Sequence, residues 1–392
     1  MPIHPHAHRS RTAVGRIAEA AAYGAIRAGV GILGMCPPAP ILRMAASAGR
    51  VYARFDKRHM RRAMSNLAVA FPDWPQERLY AVGAESHAHI FRLGVELARS
   101  PRILNDDGWP DHLELGDLEK GLRALISARP CILITGHCGN WELLGYTLAL
   151  LGFPMHALYR PLDLHPLDRY VHQTRQRRGL TLIDKFGALK QLPDFVRSGA
   201  PVGFVADQNA GDRALFVPFF NRLAATYKSI GLLALQFGAT IICGCARRMS
   251  DVGCRMSDGE SADLRGVRGT EPIRHPTSHI RHALQYRIEI ADVFGPGDWS
   301  QHPDPLFYLT ARYRRAIESM IRAAPEQYLW MHRIWRSRPR HERSRRPFPP
   351  LLLAKLRALP WMTEADLAQI QHHSARDART LEETGQDKLS EF

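Results

Sequence analysis

The residues of this chain best placed to do chemistry lie in Pro130–Gly145, PCILITGHCGNWELLG. His137 stands between Gly136 and Gly139, and Glu142 follows shortly after. A histidine whose tautomer is fixed by a carboxylate is a general base able to take a proton from a hydroxyl. Whether the two side chains can meet depends on the elements that carry them. On one continuous helix, five residues at 100° each would leave them about 140° apart. Cys131–Ile134 is instead a short, β-branched apolar run, suited to a strand buried on both faces. The glycines permit a tight turn, Asn140 is a good N-cap, and Trp141–Leu144 opens a helical pattern. His137 is therefore expected on a strand-to-helix turn, with Glu142 reaching back to it from the first helical turn. The pattern also has a purely structural reading: a histidine there can cap or pack, and a carboxylate in a first turn suits the helix dipole. Cys138 is not expected to be a nucleophile, because adjacent residues on a turn seldom point at each other.

The bulk composition bounds the answer. With 392 residues the chain can form one large or two modest domains. Hydrophobic residues at 45% and charged residues at 23% describe a folded protein, not a disordered one. The net charge of +15 implies acidic partners, such as anionic lipid headgroups, an acidic carrier protein or nucleic acid. No interleaved aromatic and basic platform for stacking bases is visible, so nucleic acid is not expected. The six cysteines include no Cys-x-x-Cys pair, so neither a metal site nor a disulfide framework is expected, and no cofactor is implied.

Taken in order, Met1–Arg11 is expected to be disordered, and Glu19 interrupts any signal-peptide pattern. Ile17–Phe55 reads as two amphipathic helices split at Cys36-Pro37-Pro38, lying in a membrane interface with their arginines towards headgroups. A core-packing helical hairpin is the other reading. RRAMSNLAVAFP (Arg61–Pro72) precedes a helix start at Asp73–Glu77 and an apolar stripe that runs past Glu96. After the His137 block, Met155–Tyr159 reads as a strand ended by Arg160-Pro161, and a helix carrying Arg175 follows. Pro201–Gln208 is a strand whose end presents Asp207 and Gln208. Open α/β sheets keep their chemistry at the carboxyl ends of strands, where His137, Arg160 and Asp207 would gather. Lys228–Phe237 reads as a helix, Thr240–Ala246 and Gln285–Ile290 as strands, Leu306–Ile321 as a helix and Leu351–Ser374 as an amphipathic helix. The alternation predicts an α/β fold, with a mostly parallel or mixed sheet flanked by helices.

GHCGNWE resembles the histidine, four residues, acid motif of the glycerolipid acyltransferase superfamily. Its surroundings are similar to the lipid A (Kdo-dependent lauroyl/myristoyl) acyltransferase branch, which also includes phosphatidylinositol mannoside acyltransferases. That branch commonly has Phe at the place of Cys138. The Asn66-Leu67…Phe71-Pro72 block, Tyr159-Arg160-Pro161 with Arg175, Asp207-Gln208…Val217-Pro218-Phe219-Phe220 and Pro325–Trp330 match its other blocks in order. Asn221 departs from the family's Phe-Phe-Gly, and Asn tolerates the left-handed backbone a Gly would supply. The resemblance implies three segments: 1–60, membrane-associated and helical; 61–338, the acyltransferase domain, with 250–279 a disordered insertion; and 339–392, a basic linker and helical tail. The basic run Arg333–Arg346 is read as attraction to an anionic membrane surface.

By that resemblance the chain moves a fatty acyl group from an acyl carrier protein or coenzyme A thioester to a glycolipid hydroxyl, at the cytoplasmic face of the inner membrane. His137 and Glu142 would be catalytic. Arg160 and Arg175 would bind phosphate or acceptor, and Asp207 and Gln208 would line the site. Arg160 or amides near Gly139, Asn140 and Trp141 would steady the oxyanion. A phosphatidylinositol mannoside-type or other (lyso)phospholipid acyltransferase, a lipid hydrolase using the same pair on water, and a non-enzymatic basic lipid-binding protein are the other readings. No Gly-x-Ser-x-Gly elbow favours the serine hydrolase route.

Overall fold

The computed structural model describes residues 13–103, 108–127, 129–159, 161, 164–176, 180–184, 188–249 and 284–389. Two expected segments, Met1–Arg11 and the 250–279 insertion, lie outside them. The strands are β1 (Leu113–Leu115), β2 (Cys131–Thr135), β3 (Met155–Tyr159), β4 (Leu180–Asp184), β5 (Val202–Val205), β6 (Leu215–Phe219), β7 (Arg222–Thr226), β8 (Thr240–Arg248) and β9 (Tyr286–Phe294). Seven of them form one sheet in the order β1-β9-β8-β2-β5-β3-β4. Every pairing in it is parallel except β8 with β9. The fold is α/β with a mostly parallel mixed sheet flanked by helices, as the sequence predicts.

The centre of the sheet decides where chemistry can occur. All of β2 is buried, which explains its apolar run Cys131–Ile134. From β2 the chain crosses over β5's place to β3 and β4, then returns to lay β5 directly beside β2. In that pairing Thr135 lies opposite Val205, and the Ala206 amide donates to the Thr135 carbonyl at 2.9 Å. The residues just past the two strands therefore emerge at one level.

Helices Ala13–Met35 and Pro38–Phe55 fulfil the expected N-terminal pair. Pro37-Pro38 separates them, with Pro38 at a helical first position where a missing amide costs nothing. The second helix crosses the long helix Gln76–Ile103 closely at Gly49, where a Cβ would come 2.5 Å from the Ala88 Cα. Among the described residues no helix is long and apolar enough to cross a membrane.

The C-terminal region corrects two expectations. The single helix read at Leu351–Ser374 is two, Pro350–Arg357 and Glu364–Thr384, because Pro360 interrupts and Thr363 caps the second by accepting from the Asp366 amide. The last helix also packs on the β6–β7 hairpin. Asp377 there receives Arg222 from β7 at 2.6 and 2.8 Å, and Arg338, held as well by Glu342, joins it at 2.8 Å. All four side chains are buried, so part of the basic run is consumed inside the protein and only its exposed members can face a membrane.

Candidate active site

His137 sits two residues beyond β2 and Asp207 two beyond β5, so the parallel register brings together groups that are 70 positions apart. The Nδ1–H of His137 donates to Asp207 Oδ1 at 2.7 Å. That bond fixes the tautomer, leaving the Nε2 lone pair to accept a proton. Burial alone would raise the Asp207 carboxyl. The charge and hydrogen bond of His137, with His332 and Arg314 behind, overcome it and hold the group well below the usual carboxylate range. Arg314, wholly buried, donates to the Ala206 carbonyl at 2.9 Å and lies 3.9 Å over the Phe219 ring.

Glu142 does not supply this bond. It starts the helix Trp141–Leu150, as expected, but its carboxylate pairs with Arg175 of the helix His165–Gln176. The carboxylate on the imidazole is that of Asp207, because a strand end at the same level aims straight at Nδ1 whereas the helix turns Glu142 towards Arg175.

The turn itself is held from several directions. Gly139 has φ +58°, and a Cβ there would meet the Ala246 carbonyl oxygen at 2.2 Å, so only glycine fits. Its amide donates to the Gln327 carbonyl at 2.9 Å, and the Asn140 amide to Ala246 at 2.7 Å. These two amides are spent within the fold, which corrects their expected part in an oxyanion site. The Asn140 side chain caps the Leu143 amide at 3.0 Å and donates to Glu96 at 2.9 Å. Glu96 also accepts from Arg248 at 2.6 Å, and buried His89 reaches the Gly139 carbonyl at 3.1 Å. Gly139 and Asn140 thus position His137, with Glu96 behind them.

The closing block Pro325–Trp330 lies across the same turn. The Leu329 amide donates to the His137 carbonyl at 3.2 Å, and the His332 ring packs edge-on against His137 at 4.7 Å. Asn66 secures that segment, donating to the carbonyls of Trp330 at 2.7 Å and His332 at 2.9 Å. Burial and then the charge of His137 lower His332 to about 4, which keeps it neutral beside a protonated base. His332 and Arg314 went unread in the sequence because only their tertiary neighbours give them a role.

Beside His137 opens a cavity of about 870 Å³. Trp141, 4.8 Å from the His137 ring, lines it together with Glu142, Arg175 and Gln208, whose Nε2 is 3.4 Å from His137 Nε2. Most of the remaining wall is apolar, including Leu133, Leu144, Leu148, Met155, Leu180 and Phe204. Arg160 lies outside the described residues. Cys138 is buried, and its neighbour Cys245 together with burial pushes the thiol up, so it stays protonated.

An α/β fold with an imidazole–carboxylate pair at its strand ends, its histidine lining a largely apolar cavity, defines an enzyme class that handles an apolar group beside a base. The model of the bacterial lipid A biosynthesis acyltransferase family matches residues 18–257, more than half of the chain, and the chain belongs to that family. It is accordingly an O-acyltransferase. It is 24% identical to a lipid A biosynthesis acyltransferase of Haemophilus influenzae over 72% of this chain and 77% of that one. Against the lipid A biosynthesis palmitoleoyltransferase of Escherichia coli K12 identity is 26%, over 78% and 89%. The lauroyltransferase of the same organism is 24% identical over 79% and 91%.

Proposed function

We propose that this acyltransferase moves a fatty acyl chain from a thioester of acyl carrier protein or coenzyme A to a hydroxyl of a lipid A-type glycolipid. The observation that carries the reading is the His137–Asp207 pair, whose histidine lines the apolar cavity. A volume of about 870 Å³ falls within the roughly 300–1,000 Å³ of ligand pockets. Each methylene buried there contributes about 0.8 kcal/mol. The acceptor hydroxyl gives its proton to His137 Nε2 while its oxygen attacks the thioester carbonyl. The tetrahedral intermediate then expels the thiolate, which takes the proton back from the imidazolium. Asp207 stabilises that imidazolium, in the part first assigned to Glu142. Gln208 and Arg160 are the proposed oxyanion donors, and Glu142 holds Arg175 in the cavity wall. The exposed apolar residues of the N-terminal helices and the net positive charge support docking on the cytoplasmic face of the inner membrane.

The test is a lipid comparison of cells lacking the gene, complemented with the wild type, His137→Ala or Asp207→Asn. One glycolipid should gain an acyl chain with the wild type alone. Full restoration by His137→Ala would remove His137 as the base and with it this mechanism.

A further inference from the structure

The helix Pro305–Ala323 lies under the His137 turn, where a Cβ on Gly136 would meet Ile317 Cγ2 at 3.0 Å and Asp207 Cβ at 3.4 Å. Arg314 stands one turn before Ile317, on the same side of that helix. Its side chain is wholly buried, with Nη1 spent on the carbonyl of Ala206, the neighbour of Asp207. Among the described residues Arg314 Nε and Nη2 have no hydrogen-bond partner, and neither has Asp207 Oδ2. A guanidinium stays charged even when buried, so it needs an anion nearby. Burial is the first influence on it and lowers it; Tyr328, Asp207, Tyr313 and Glu318 act the other way. Burial pushes both tyrosine hydroxyls up, so they stay neutral. Glu318 is engaged by the Phe220 amide at 2.7 Å and by Arg322 at 2.7 Å. Asp207 is the anion left for Arg314.

We propose that Arg314 is the permanent counter-ion of Asp207 and, through it, a positioning residue for His137. The inference rests on the acyl-transfer reading and adds what keeps its base ready. A base waiting for a proton is neutral, so the buried Asp207 is then an anion whose bonded partner is an uncharged N–H. A carboxylate so placed takes up a proton unless a cation stands by. Of the described groups that face Asp207, only Arg314 is charged in that state. Burial and then His137 keep His332 neutral. Burial and then the charge of Asp207 push up the hydroxyls of Tyr328 and Tyr227, and the Cys138 thiol stays protonated. In a low-dielectric interior the charge of Arg314 reaches the carboxylate without a direct bond. Arg314 also holds the Ala206 carbonyl, while the Ala206 amide is tied to Thr135 at the end of β2. Once the imidazolium forms, Asp207 is shared between two cations. Arg314 therefore limits how firmly His137 keeps the proton and eases its return to the leaving thiolate.

Three full-length variants test this: Arg314→Met, Arg314→Gln, which keeps a donor for the Ala206 carbonyl, and Arg314→Lys, which keeps the charge. The substrates are lauroyl-coenzyme A and the glycolipid identified by the complementation test. In the first two variants kcat should fall about tenfold or more with KM for the thioester little changed, and Arg314→Lys should recover most of that loss. The acidic limb of kcat against pH should move to higher pH in Arg314→Gln, because a carboxylate without its cation takes up a proton sooner. In an Asp207→Asn background Arg314→Gln should lower kcat less than about threefold, since the anion it serves is already gone. An equal loss in both backgrounds, or wild-type kcat in Arg314→Gln, overturns the proposal. Melting needs no substrate. Asp207→Asn leaves a buried guanidinium without its anion and should melt several degrees below the wild type. Asp207→Asn/Arg314→Met removes both charges and should melt above Asp207→Asn. A double variant that melts no higher refutes the pairing. Recovery of the melting temperature, with no acyl transfer by the wild type, would keep the pair and remove the acyl-transfer reading.

Discussion

At His137 the question is which carboxylate sets the proton. Glu142 is close in sequence and Asp207 is 70 positions away, yet Asp207 makes the 2.7 Å bond. Residue types and spacing disclosed the histidine, its two glycines and the helix cap, because those are local consequences of turn chemistry. They could not disclose the partner, because it follows from the register of β2 against β5. Asp207 was legible as a strand-end residue lining the site, not as the partner of His137. The assignment predicts a ranking. Asp207→Asn should lower kcat by about 10²–10⁴, since the imidazole loses its tautomer and the imidazolium its counter-charge. Glu142→Gln releases Arg175 and should act mainly on KM, with kcat within about tenfold. Steady-state kinetics on an acyl thioester give both values, and the reverse ranking would return Glu142 to the part of orienter.

Among the elements, the β6–β7 hairpin shows how a departure from a family pattern finds its reason. Its two-residue turn has Phe220 and Asn221 at φ 50° and 49°, the left-handed pair that such a connection needs. Glycine would meet the backbone demand at Asn221 as well. The asparagine does more, since its Nδ2 donates to Asp366 and Gln369 at 2.8 Å each. Both acceptors lie on Glu364–Thr384, so the residue that differs and the helix that extends the chain belong to one contact. Sequence periodicity revealed an amphipathic helix there but not what its apolar face covers. Asn221→Gly is expected to keep the hairpin and loosen the helix, with amide exchange accelerating several-fold in Glu364–Thr384 and little in β6–β7. Exchange measured by mass spectrometry decides it; unchanged protection of the helix would leave the Asn221 bonds without energetic weight.

Across the whole molecule, the positive charge noticed in the composition is partly internal, and so is a set of histidines that must stay neutral. Burial is the first cause in each case. With His137 acting on His332, Arg338 on His341, and Arg376 and Arg222 on His373, all three are drawn down to about 4. The unfolded chain takes up these protons near pH 6.5, whereas the folded one resists until about 4. Stability from neutral histidines is therefore complete above the unfolded value and drains as pH falls towards the folded one. The buried carboxylates Asp207 and Asp377 are both held below their ordinary range, so their contribution is present throughout that window and fades only at lower pH. The melting temperature should accordingly fall steadily from pH 6.5 to about 4, with site and C-terminal helix loosening together. In His341→Gln/His373→Gln the fall should be shallower, because two proton-binding differences are gone, even if that variant starts from a lower value at pH 7. Circular dichroism melts at half-unit steps of pH measure the slope. A wild-type melting temperature that stays level across the window would show that these histidines take up protons without opening the fold.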